Sequence, residues 1–135
     1  MDTNDFLNRM LEAERAGAKA LVVYLDSYPR NSESWKVLRQ VQADEAHNCA
    51  LIGKLLEKSA TPYSHATGEF FEKAISIKEP KAQIEFLVKG LRWAVKRLEE
   101  SLLKIKDPET LSVIQKMRDS HLRSIAACES LARSL

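Results

Sequence analysis

Apolar residues recur along this chain at alternating spacings of three and four, and they do so in four long segments. The first runs from about Asn4 to Ser27, where Leu7, Leu11, Glu14, Ala18, Leu21 and Leu25 share one face. A stripe of this kind is the buried seam of an amphipathic helix. Thr3 or Asn4 can cap its start, and Pro29 follows its end. The second runs from Ser32 to Lys58 on Trp35, Leu38, Val41, Glu45, Asn48, Ile52 and Leu55. Pro80 suits the first turn of the third, which continues to Ile105 on Ile84, Leu87, Leu91, Ala94, Leu98, Leu102 and Ile105. Asp107-Pro108-Glu109 then supplies a cap, a proline at the first helical position and an acid in the first turn. The fourth helix follows toward the C-terminus, with Leu111, Ile114, Met117, His121, Ile125, Cys128 and Ala132 inward.

The connections order these helices. Ser27–Asn31 is short, and so is the link before Asp107, so each flanking pair is antiparallel. Ser59 to Glu79 is long for a connection between bundled helices. Within it, Thr67 to Ile75 reads as a short amphipathic helix whose Phe70, Phe71, Ala74 and Ile75 need a surface to cover. The expected fold is all-α: a four-helix bundle of two antiparallel pairs joined by a long crossover carrying a short helix. One domain spanning 1–135 is expected, since the length suffices for one core.

Composition narrows the function. The net charge is +2 and the basic residues are dispersed, which argues against a nucleic-acid surface. No apolar run approaches a membrane span. The start, Met1-Asp2-Thr3-Asn4-Asp5, is acidic and polar, unlike a signal peptide. Cys49 and Cys128 fall on predicted core faces without a spaced motif, which fits free buried thiols in a cytoplasmic protein. A homodimer is compatible with the sequence, and no protein partner is specified.

Three ionisable residues interrupt the apolar stripes. Each residue advances ~100° around a helix, which puts Glu14 within ~20° of Leu7 and Glu45 within ~20° of both Leu38 and Ile52. Asn48 lies between Val41 and Leu55, and His121 between Ile114 and Cys128. Glu14, Glu45 and His121 all fall near their helix midpoints, and midpoints meet whatever the chain direction. Opposite them, Gly90 and Ala94 are small enough to leave space beside Leu91. Buried charges need a partner, a proton or a metal. Asp44-x-x-His47 also has ligand spacing, and could contribute in place of Glu45 and Asn48. Its phase, however, points His47 ~130° from the apolar mean. His65 falls in the crossover and reads as surface.

Leu11-Glu12-Ala13-Glu14-Arg15-Ala16-Gly17-Ala18 and Ala43-Asp44-Glu45-Ala46-His47-Asn48-Cys49 carry a resemblance. The chain resembles the ferritin-like superfamily, the rubrerythrin-type carboxylate proteins, and within it a bacterial branch with a degenerate di-iron motif. In the full pattern two helices each supply a Glu and two each supply Glu-x-x-His, together holding two irons. The resemblance matches Glu14 to the first-helix Glu and Glu45 to the Glu of the second-helix motif, with Asn48 where its His would be. It matches His121 to the fourth-helix His, with Arg118 at the Glu position. The third helix offers no inward Glu; Glu99 and Glu100 point outward by phase.

Two readings follow. In one, Glu14, Glu45 and His121 hold a single iron or manganese ion, with Asn48 and water completing the shell. Two carboxylates and one imidazole resemble the facial triad that leaves positions open on Fe(II), which brings oxygen or redox chemistry within reach. In the other, no metal is bound and the polar centre is structural. Arg97 and Arg118 would then pair with the two carboxylates, and the protein would be a non-catalytic or partner-binding module. No catalytic residue is assigned in either reading.

Overall fold

The computed structural model describes residues 2–135, which form five helices and no strand. They are α1 (Thr3–Leu25), α2 (Glu33–Lys58), the short α3 (Phe70–Ser76), α4 (Pro80–Leu102) and α5 (Pro108–Ser134). The four long helices occupy the four periodic segments, with shifts at their ends.

Those shifts have local causes. Asp2, rather than Thr3 or Asn4, caps α1: its carboxylate accepts from the Asp5 N–H at 2.8 Å, so the helix begins one residue sooner. Ser32 caps α2 through the Trp35 N–H, and Asp107 caps α5 through the Thr110 N–H. Glu79 caps α4, accepting from the Lys81 and Ala82 N–H groups ahead of Pro80. The same helix stops at Leu102, short of Ile105. The N–H groups of Lys104 and Ile105 both turn back onto the Ser101 carbonyl, which frees the chain to present the Asp107 cap.

Helix α1 lies along α2, α4 lies along α5, and α2 meets α5. Two apolar clusters fix which ends meet. One joins Leu7 and Leu11 to Ile52, Leu56, Leu98 and Ile114. The other joins Leu21 to Leu38, Val41, Ile84, Leu87 and Ile125. The start of α1 therefore meets the ends of α2 and α4, and α2 and α4 run the same way. The connection between them has to travel the length of the molecule, which accounts for its size.

Along that path α3 packs on α1 and α4. The Tyr24 hydroxyl donates to the Ala74 carbonyl at 2.8 Å in a buried position. Phe70 stacks on Phe86 with ring centroids 4.9 Å apart. It also sits over Gly90, where a β-carbon would come within 2.7 Å of the ring. The space left by Gly90 is thus taken in part by an aromatic ring from the crossover. Because α3 covers a second side of α1, that helix buries Ala20 and Tyr24 in addition to its expected stripe, of which Ala18 and Leu25 are only half-buried. No helix among the described residues is long and apolar enough to cross a membrane.

Candidate metal centre

Between the two apolar clusters lies one polar layer. Glu14, Glu45, Asn48 and His121 are all buried, His121 at 2% exposure and Glu14 at 1%. Each is set there by helix phase, a heptad step from core residues of the layers above and below.

His121 is oriented by its own helix. Its Nδ1 donates to the Met117 carbonyl one turn back, at 2.7 Å. A carbonyl can only accept, so Nδ1 carries a proton and Nε2 is the atom presented to the carboxylates. Nε2 stands 3.1 Å from Glu14 Oε2 and 3.8 Å from Glu45 Oε2. A proton lies between His121 and Glu14, and the other Glu14 oxygen accepts from Asn48 Nδ2 at 3.0 Å. Glu45 Oε2 is buried without a hydrogen-bond partner. Burial pushes the Glu14 carboxyl up to about 7, against hydrogen bonds from Glu45 and Asn48 that pull it down. Burial, and then the charge of Glu14 beside it, hold Glu45 well above the ordinary carboxylate range.

One ligand atom each from Glu14, Glu45 and His121 lies within 4.8 Å of the others, so the group could hold a metal ion. Two atoms each ~2.1 Å from a common ion are at most ~4.2 Å apart. The two histidine–carboxylate distances already meet that limit. The remaining features also fit a metal. The imidazole donates its far N–H to a backbone carbonyl, as metal-bound histidines do. Two carboxylates would neutralise a divalent ion, and the orphaned Glu45 oxygen would gain a partner.

Asn48 reaches the group through its amide nitrogen, acting on Glu14 rather than on the space between the three ligand atoms. Gly17, which the apolar pattern did not single out, admits Glu45: a β-carbon there would lie 2.7 Å from Glu45 Oε1. A glycine inside a strong helix-forming run costs stability, and that cost was the available signal.

The expected arginine pairing is not what the structure contains. Arg97 pairs with Glu100 at 3.5 Å, and Arg118 with Asp119 at 3.4 Å and Glu99 at 4.0 Å. Each buries its Nε without a partner and sends its charged end outward. A guanidinium at the edge of a core face is better solvated at the surface than desolvated beside the cluster. His47 and His65 are exposed, and Asp44 accepts from Gln40, so none of the three joins the group. Cys49 and Cys128 are free; burial pushes both thiols up to about 12, which keeps them from acting as thiolates.

The three ligand residues form part of the wall of a cleft of about 630 Å³ between α1 and α4, partly roofed by Thr67 to Lys73. A family model described as a domain of unknown function (DUF6306) matches residues 2–130, and the chain belongs to that family. No curated protein and no solved structure matched the chain.

Proposed function

We propose that this is a ferritin-like four-helix bundle that holds one transition-metal ion, iron or manganese, through Glu14, Glu45 and His121. The observation that carries the reading is the buried, unpartnered Glu45 Oε2 at 3.8 Å from a histidine nitrogen that faces both carboxylates. Asn48 holds Glu14 in place, and the Met117 carbonyl holds His121. The departures from the two-iron pattern, Asn48 and Arg118, leave three protein ligands, which suits one ion with open positions rather than two. Such an ion supplies Lewis acidity and one-electron exchange. The two free thiols fit a reducing compartment, and we place the protein in the cytoplasm.

Metal analysis of protein purified without a metal-binding tag tests this. Near-stoichiometric iron or manganese is expected, and much less in Glu45→Gln. Traces of every metal, at the same level in both proteins, would count against the reading.

A structural polar centre is the second reading. It is favoured by the hydrogen bonds that engage both Glu14 oxygens and both His121 nitrogens without any ion. In this reading Glu45, raised well above the ordinary carboxylate range, is protonated and shares its proton with Glu14.

A further inference from the structure

The cleft that ends on the carboxylate–histidine group has walls of a different character from its floor. Phe86, Leu87 and Leu91 of α4 and Phe70 of the crossover supply apolar surface, and Trp93, half-exposed, stands beside them. A volume of about 630 Å³ lies within the ordinary range of small-molecule sites. Metal exchange or a diatomic molecule needs no such apolar wall.

Charge around the cleft is unevenly committed. Of the charged residues lining it outside the polar layer, Lys73 pairs with Glu69, and Glu12 keeps its charge while accepting from Ser64, so Arg9, Lys73 and Lys89 exceed Glu12 and Glu69 by one positive charge. Arg9 on α1 and Lys89 on α4 have no ion pair among the described residues. Two uncommitted cations beside an apolar cavity suit an amphiphile with one negative head.

We infer that the cleft binds a small apolar monocarboxylate, its carboxylate toward Arg9 and Lys89 and its apolar body against Phe86, Leu87 and Leu91. Its role as a substrate rests on the metal reading above, because the far end of the cleft is the Glu14–Glu45–His121 group. Binding itself needs no metal, since the apolar residues and the two cations that would hold the ligand are not the metal-ligand residues.

The test is calorimetric titration of octanoate and of octanol into chelator-treated protein. Octanoate is expected to bind saturably, about fivefold or more tighter than octanol. In an Arg9→Gln, Lys89→Gln double variant octanoate should fall to the octanol level while octanol is unchanged. Ala13→Phe, which places a ring into the cleft from a half-buried position on α1, should weaken both by about tenfold or more. Equal affinity for the two probes in the wild type, or no binding of either, overturns the inference, and this comparison stands even where a variant fails to fold. Octanoate binding that Ala13→Phe leaves intact in a folded protein overturns it too. A metal-free wild type that binds octanoate would keep the inference even where metal analysis refutes the metal site, so the two can fail separately.

Discussion

Glu14 is the residue on which the centre turns, because it touches both His121 and Asn48. Its carboxyl is held at about 7, above its ordinary value of 4.5, chiefly by burial. A raised carboxyl favours the folded state while protonated. That contribution is complete below the unfolded value and is lost as pH rises through the folded one. Metal-free protein should therefore lose stability between about pH 4.5 and 7, by up to ~3 kcal/mol from this group. Urea midpoints at pH 5 and pH 8 check this, and Glu14→Gln should shrink the difference to what the raised Glu45 carboxyl contributes. A bound metal would reverse the trend, because it would bind the deprotonated carboxylates and bind better as pH rises.

Gly17 gives a second prediction at this scale. Gly17→Ala gains up to ~1 kcal/mol of helix propensity. Its new β-carbon would also meet Glu45 Oε1 at 2.7 Å, so the carboxylate has to move. Metal-free stability should change by less than ~1 kcal/mol while stabilisation by added Mn(II) drops sharply. An alanine variant with the wild-type Mn(II) response would show that Glu45 is not a ligand.

The three ionisable residues of the centre were legible because phase alone puts them inward and no neighbouring element can turn them out. Arg97 and Arg118 were not, since a long side chain at the edge of a core face can reach either way, and solvation decides. The Met117 carbonyl that orients His121 is a backbone group and leaves no mark in the residue pattern.

At the scale of elements, the long helices follow from periodicity, the α5 cap from Asp107, and the start of α4 from Pro80. What periodicity could not give is the second buried face of α1. Tyr24 and Ala20 lie off the main stripe, and they are covered only because α3 crosses there. The crossover's length was readable, but the surface it covers was not, since that depends on contacts far apart in sequence. Tyr24→Phe should cost ~1 kcal/mol, the worth of one buried hydrogen bond, since the Ala74 carbonyl keeps its bond from the Ile77 N–H. Amides of α3 should then exchange faster with solvent, while those of α5 should not. Uniform acceleration in both helices would mean that α3 is not separately anchored at this bond.

For the whole molecule, two apolar layers enclose one polar layer, and the four long helices are held at both ends. A polar centre so placed lies where an uncompensated charge costs most, and a bound divalent ion there would be linked to global stability rather than to one helix. His121→Leu keeps the volume similar and removes the only nitrogen donor of the group. The deciding measurement is the thermal unfolding midpoint of wild type and His121→Leu, each with chelator and with saturating Mn(II) or Fe(II). One ion bound to the folded state raises the wild-type midpoint by mass action, and the variant midpoint stays where it was. Equal shifts in the two proteins, or no shift in either, would contradict a metal centre at Glu14, Glu45 and His121.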